Sequence, residues 1–223
     1  MQPRLLAIII TILPLITTNA VYLLSAYEGN VPWCMPYFDG CTTISQAARS
    51  GNSIYIYRAT MIAYSVLLIW FWVYTRQWLL QVLGEATKLS SAIMWLGISG
   101  ALFLMVYIDF LGTTGEINRF MRRYGIMLFF TFTPLAQVLL LKLHYKTLSS
   151  SASANLKRPV LQFQLYVLLL MCIIGIASII LDVAQLKTYQ SENIVEWTFA
   201  FLLNMYFAGM IFIWRDYRYH LSE

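Results

Sequence analysis

Six long runs of apolar residues, each without a charged side chain, divide the chain into segments of membrane-spanning length. The charge-free windows are residues 5–27, 59–75, 89–108, 124–141, 159–181 and 197–214. An α-helix needs about 20 predominantly apolar residues to cross the hydrocarbon core of a bilayer. Because these runs are apolar on all faces and do not alternate with period two, they predict helices and not the strands of a barrel.

We therefore predict an all-α, polytopic membrane protein, a bundle of six transmembrane helices in a single domain. The spans are placed near residues 5-27, 57-75, 89-110, 124-143, 159-184 and 196-214. The first run is expected to remain as a helix, because it is longer than the apolar core of a usual signal peptide and contains Pro14. Segment 76–88, apolar between charged ends, predicts an interfacial helix, and the serine-rich segment 147–154 predicts a flexible linker.

The composition supports this class and orients the bundle. Of 223 residues, 60% are hydrophobic and 11% are charged, whereas soluble domains are about 45–50% apolar and about 25% charged. With the N-terminus in the cytoplasm, nine of the 15 Lys and Arg residues lie on the cytoplasmic side and six on the outer side. Loops rich in Lys and Arg stay in the cytoplasm, so we expect both termini there. The net charge of +5 follows from this rule, and no nucleic-acid partner is predicted.

The longest connection, residues 28–54, lies on the predicted outer side and contains Cys34 and Cys41. It is too short to form its own core and is expected to fold back as a cap over the helix ends. A disulfide between Cys34 and Cys41 would close a small loop in an oxidising compartment. The alternative is a metal pair, although two thiols without a nearby histidine make a poor site. We favour the disulfide, predict no metal site, and expect Cys172 to act as a small buried hydrophobe.

Ionisable residues at the helix ends collect on the predicted outer side. They are Arg58, Asp109, Glu116, Arg119, Arg122, Arg123, Asp182 and Glu196. Charges at membrane depth are costly unless they are paired or hydrated, so this cluster is the candidate site. The hypothesis is a pocket for an anionic lipid headgroup, in which arginines pair with phosphate and the acids hold the arginines. Asp182 is expected to face the bundle, because a pair with Lys187 five residues further along one helix is geometrically poor.

Two alternatives to a headgroup pocket stay open. Arg119, Arg122 and Arg123 could be interfacial anchors, and the side chain of Arg58 could extend from its helix end to the interface. No HExxH, Walker, GxSxG or Cys/His metal motif is present, so no cofactor and no catalytic residue is assigned. Whether the protein is an enzyme is left open. An enzyme at this face would use Asp or Glu as its base, in lipid remodelling at the outer leaflet.

Several short segments carry a resemblance to a known family. They are residues 41–45 (CTTIS), Tyr57-Arg58 at the start of the second span, residues 102–141, Glu196-Trp197 at the start of the sixth, Asn204, and residues 215–217 (RDY). With the long first outer loop, this order of features resembles the DRAM family of six-span membrane proteins. That family includes the damage-regulated autophagy modulators and the factor that remodels the lipids of GPI anchors. The resemblance implies lipid remodelling, autophagy regulation or lipid organisation, and it carries over Arg58 and Glu196 as site positions.

The sequence also departs from that family. The GPI-remodelling members place one histidine at the outer start of the fourth helix, where this chain has Arg122-Arg123. A second histidine within their sixth helix would fall near Ala208 or Gly209. The chain therefore cannot repeat chemistry that depends on those histidines. The compact loops favour a bacterial member, in which no GPI anchor exists and the inner membrane is the expected location.

The sequence thus leaves two functions in competition. The first is an integral membrane protein that binds or handles phospholipid headgroups at the outer face. The second is a non-catalytic scaffold or regulator that acts through a membrane-protein partner, with the outer loop as the contact surface. A small-solute transporter is disfavoured, because neither repeats nor paired broken helices are visible.

Overall fold

The computed structural model describes residues 2–149, 156–215 and 217, and every regular element in them is a helix. The eight helices are α1 (Pro3–Tyr27), α2 (Pro36–Asp39), α3 (Ile44–Arg49), α4 (Ser53–Leu83), α5 (Lys88–Asp109), α6 (Glu116–Ser149), α7 (Arg158–Val183) and α8 (Tyr189–Ile213). Six of them are long and apolar enough to cross a membrane, which confirms the predicted all-α class and the number of spans. Residues 147–149 of the predicted linker are helical and end α6, so that part of the prediction is wrong, whereas its residues 150–154, as well as Asp216, lie outside the described residues.

Three helices are longer than the apolar windows indicate. One of them, α8, begins at Tyr189, seven residues before the predicted span, so Glu196 lies inside the helix and does not start it. Helix α4 has 31 residues, a length of about 45 Å, whereas the hydrocarbon core is about 30 Å thick. The separate interfacial helix predicted at 76–88 is wrong, because no glycine or proline interrupts α4 before Gly84, which ends it with φ 74°. Trp78 and Leu79 of that segment are buried in the bundle and do not lie along an interface.

Helix α6 begins at Glu116, two turns before the predicted span. Gly115, with φ 106°, precedes it and ends the turn that follows α5. Apolarity marks the part of a helix that lies in lipid and gives no information about its polar first turns. As a result, Arg119, Arg122 and Arg123 are helical residues at positions i, i+3 and i+4, which share one face of α6.

The six long helices form a ring in chain order. Helix α8 also forms hydrogen bonds with α4 and α6, which are not its neighbours in the ring. Helix α1 packs against α4 and α8, α4 against α5, α5 against α6, and α7 against α8. From α8, Asn204 accepts a hydrogen bond from the Tyr64 hydroxyl at 3.2 Å, and the Leu203 carbonyl accepts one from Gln137 at 3.0 Å. Such buried polar pairs join α8 to α4 and α6, as expected for interhelical hydrogen bonds in a bilayer.

Helix α7 is the loosely packed member of the ring. Its buried residues all precede Cys172, and none of the side chains from 172 to 183 is buried. Ile176 and Ile179 of the second half are 58% and 64% exposed. The expectation that Cys172 is buried is wrong, since it lies on the exposed side of α7 as a free thiol. Helices α6 and α7 have fewer contacts than any other neighbours in the ring, so a gap separates them.

The end of the bundle that carries residues 28–52 is called the cap face below. Cys34 and Cys41 form a disulfide, as predicted, with their Cα atoms 6.5 Å apart. The cap is fastened to α8 because Asn193 donates a hydrogen bond to the Gly40 carbonyl at 2.7 Å. The Trp197 indole donates another to the Thr42 carbonyl at 2.9 Å. The connections 110–115 and 184–188 reach the same face, so the predicted charged cluster belongs to it.

Candidate functional site

A cavity of about 380 Å³ lies at the cap face in the gap between α6 and α7. Its apolar lining comes from α6 and α8 and consists of Ile126, Met127, Phe130, Val195 and Phe199. Its charged lining consists of Arg122, Arg123, Lys187, Glu192 and Glu196. Residues 122, 123, 126, 127 and 130 follow the spacing of one helical face, so α6 presents arginines at its start and apolar side chains one turn further in.

Glu196 lies beside the cap on the first turns of α8 and is partly buried. The backbone N–H groups of Ile44 and Ser45, at the start of α3, lie beside its carboxylate. The Ser45 side chain and the Tyr57 hydroxyl lie beside the Tyr107 hydroxyl. The cluster therefore joins the cap to α4, α5 and α8. Sequence analysis singled out Glu196 but missed Ser45 and Tyr107 as site residues.

A second, internal cavity of about 40 Å³ continues from this cluster into the bundle. It shares Tyr107 and Glu196 with the larger cavity and reaches Tyr64 and Asn204 at mid-bundle. Its lining is mostly apolar, and a space of this size holds a few water molecules at most. Of the two, the cavity between α6 and α7 is thus the one with room for a larger ligand.

Arg58 does not line either of these cavities. Its Nη2 donates a hydrogen bond to the Asp109 carbonyl oxygen at 3.1 Å and a second to the Leu111 carbonyl oxygen. These carbonyls lie at the C-terminus of α5, where the last turn has no intrahelical donors and a positive charge is favourable. Arg58 therefore caps α5 and holds the turn that leads to α6.

Arg58→Ala is expected to destabilise the fold without removing a ligand contact. Loss of the capping bonds should lower the free energy of unfolding by about 1–2 kcal/mol. Lipid bound per folded molecule should stay as in the wild type. Unfolding of the purified protein in mixed micelles and lipid analysis of the folded fraction measure the two quantities. The stability of Arg58→Lys, which keeps the positive charge but has fewer hydrogen-bond donors, should lie between those of the wild type and Arg58→Ala. If Arg58→Ala kept the stability of the wild type but lost its bound lipid, the capping role would be contradicted.

Asp182 does not face the bundle, so the expected orientation is wrong. Helix α7 ends at Val183, and Gln185 adopts φ 55°, which turns the chain back on itself. The Lys187 backbone N–H then bonds to the Leu181 carbonyl at 3.1 Å, and the Lys187 ammonium lies 4.0 Å from the Asp182 carboxylate. The poor i,i+5 geometry applies to a continuous helix, and the helix stops between the two residues. The Asp182 side chain is 71% exposed.

The expectation that acids hold the arginines is also wrong for the described residues. Their ion pairs within 4.0 Å both belong to Lys187, with Asp182 and with Glu192 at 3.5 Å. Asp109 and Glu116 are exposed and line neither cavity. Arg119, Arg122 and Arg123 have no carboxylate partner among the residues that the structure describes. No carboxylate among the described residues lies within 4.0 Å of these guanidinium groups, although Glu192 and Glu196 line the same cavity as Arg122 and Arg123.

Comparison with known proteins adds no family to this description. No family model matches the chain, and neither does any curated protein or solved structure. The resemblance to the DRAM family accordingly stays a prediction. Over the described ranges no three His, Cys, Asp or Glu side chains are grouped to hold a metal ion. What the fold and the site define is a class, a six-helix protein of membrane-spanning composition with a basic cavity at one face.

Proposed function

We propose that this protein binds a phospholipid with an anionic headgroup at the cap face. The headgroup phosphate pairs with Arg122 and Arg123, and one acyl chain lies along the apolar wall between α6 and α7. The observation that carries this proposal is the 380 Å³ cavity, which joins an apolar wall to two arginines that form no ion pair within 4.0 Å with a described carboxylate. A phospholipid has the same order of parts, a charged group followed by a hydrocarbon chain.

The chemistry of the arginines supports a phosphate ligand. A guanidinium presents a planar set of donors that matches the oxygens of a phosphate and can bind two of them at once. Arg122 is partly buried and Arg123 is exposed, and both line the cavity. A bound phosphate would give these two guanidinium groups the direct anionic contact that Glu192 and Glu196, the carboxylates of the same cavity, do not make within 4.0 Å.

The packing of α7 supports entry of the ligand from the bilayer. The second half of α7 has no buried side chain, and a Cβ added at Gly175 would meet nothing within 4 Å. The gap beside it lies among the apolar parts of α6 and α8, at a depth where only lipid is available to fill it. The DRAM resemblance, which implies lipid remodelling among other activities, favours the same class of ligand.

Native mass spectrometry of protein gently extracted from its own membrane tests the proposal. We expect the wild type to retain a specific phospholipid and Arg122→Ala/Arg123→Ala to lower its apparent affinity at least tenfold, because each charge-assisted bond contributes about 1.5–3 kcal/mol. Arg158→Ala is the matched control, since this exposed arginine begins α7 at the opposite face. Equal lipid retention by wild type and the double variant would refute the proposal.

One observation favours the second candidate, a scaffold that acts through a membrane-protein partner. On the cap, Trp33, Met35 and Phe38 are 65%, 58% and 77% exposed. Exposed apolar side chains grouped along a short segment are typical of interaction surfaces. The same mass-spectrometric measurement separates the two functions. A stoichiometric protein partner without retained lipid would support the scaffold.

A further inference from the structure

A second basic cavity, of about 320 Å³, lies next to the first at the cap face. Its lining consists of Arg49, Gly112, Thr113, Thr114, Gly115, Arg119 and Arg122. Arg122 lines both cavities, so they adjoin at this side chain. No acidic side chain lines the second cavity, whereas Glu192 and Glu196 line the first.

The three arginines come from two parts of the chain that the fold brings together. Arg49 ends α3 in the cap, and Arg119 and Arg122 lie on the first two turns of α6. The turn between α5 and α6 allows this approach because Gly112 adopts φ 78°, and a Cβ there would run into Ile54 and contact the Arg49 carbonyl at 3.8 Å. Among the described residues, none of the three forms an ion pair with a carboxylate.

The backbone of the turn adds donors to the arginines. Gly115 precedes α6 and has no side chain that could accept hydrogen bonds from the first N–H groups of the helix. The Arg119 N–H bonds to the Gly115 carbonyl at 3.0 Å, so the unsatisfied groups are the earlier ones. The Thr113 hydroxyl donates its hydrogen to the Phe110 carbonyl at 2.7 Å, so it fixes the turn and leaves anion binding to the other donors. Three guanidinium groups at the start of a long helix favour an anion with several oxygens.

We propose that Arg49, Arg119 and Arg122 bind a second phosphate group of the same lipid headgroup. The inference rests on the proposed function and narrows its ligand to a lipid that carries two phosphates. The shared Arg122 lies between the phosphate in the α6–α7 cavity and the phosphate at the α5–α6 turn. A headgroup with one phosphate fills the first cavity alone and leaves the second without a ligand.

The test compares lipids with one and two phosphates on the full-length protein. Apparent affinities are measured by native mass spectrometry in neutral detergent with phosphatidylglycerol, cardiolipin or phosphatidylinositol 4-phosphate. We expect the wild type to bind at least one of the two-phosphate lipids about tenfold more tightly than phosphatidylglycerol. Arg49→Ala and Arg119→Ala should each remove most of this preference and change phosphatidylglycerol binding less than twofold. Both side chains are exposed, so the variants should fold, and Arg158→Ala is again the control.

Each outcome separates this inference from the proposed function. Equal binding of one- and two-phosphate lipids by the wild type, with loss of both in Arg122→Ala/Arg123→Ala, would overturn the second site and keep the first. No loss of either lipid in that double variant would overturn the proposed function itself. Pyrophosphate bound in nanodiscs of phosphatidylcholine, in a manner that depends on Arg119 but without any lipid preference, would show a free phosphate compound and overturn the lipid assignment.

Discussion

Trp197→Ala is expected to lower the free energy of unfolding by about 3–5 kcal/mol. The Trp197 side chain is 1% exposed and packs edge-on against Tyr22 and Tyr37, with ring centroids 5.9 and 5.2 Å away. Its indole also donates to the Thr42 carbonyl. The substitution therefore leaves a cavity and an unpaired carbonyl at the junction of cap and bundle. Detergent-induced unfolding in mixed micelles measures the loss.

Two further variants assign the cause of this loss. Trp95→Ala is the matched control, because Trp95 is 61% exposed on α5 and its removal should change stability by less than about 0.5 kcal/mol. Trp197→Phe keeps much of the packing, loses the hydrogen bond and should cost an intermediate amount. Since Glu196 contacts Ile44 and Ser45 of the cap, Trp197→Ala should also weaken lipid retention. If Trp197→Ala lost no more stability than Trp95→Ala, the role of Trp197 in anchoring the cap to the bundle would be contradicted.

Gly97→Ala is expected to lower the free energy of unfolding by about 2–3 kcal/mol, because an added methyl group would overpack the core. Gly97 lies on α5 against the indole of Trp72, which is fully buried, and a Cβ at this position would overlap the ring. Trp72 is packed edge-on against Phe71 and Phe207, with centroids 5.2 and 6.0 Å away, so it cannot shift without moving the centre of the bundle. Thermal unfolding of the detergent-solubilised protein provides the measurement.

Gly175→Ala is the control that separates packing from helix propensity in the effect of Gly97→Ala. Gly175 also lies inside a long helix, but nothing lies within 4 Å of a Cβ added there. The higher helix propensity of alanine should then leave stability unchanged or raise it by up to about 1 kcal/mol. We therefore expect Gly97→Ala to lower the free energy of unfolding and Gly175→Ala to leave it unchanged or raise it. Similar losses at both positions would mean that glycine serves the backbone of these helices and not the contact between α4 and α5.

The sequence predicted the fold because the signal is strong and local. Twenty apolar residues without a charge have few outcomes other than a spanning helix, and all six were found. The ends of α4 and α6 were missed because polar helical turns outside the membrane carry no apolar periodicity. The exposed position of Cys172 could not be foreseen either, since the sequence of α7 does not show that its second half stands away from its neighbour.

The candidate site was predictable in its charges and not in its contacts. Arg122, Arg123 and Glu196 were recognisable as charged residues at helix ends, and the structure places them around one cavity. Ser45 and Tyr107 were missed because they meet only when the cap folds over the bundle. Arg58, which the family resemblance singled out, caps α5, and its partners are backbone carbonyls that no sequence pattern reveals.

The gap between α6 and α7 would also determine how the proposed lipid fills the cavity. Because the gap lies between two helices of membrane-spanning length, that lipid would enter it by diffusion within the plane of a single leaflet, without leaving the membrane. Occupancy would then follow the mole fraction of that lipid in the one leaflet next to the cap face, and dilution of the membranes in buffer would leave it unchanged. The protein would respond to the lipid composition of one leaflet, and the same lipid in the opposite leaflet would not affect its occupancy.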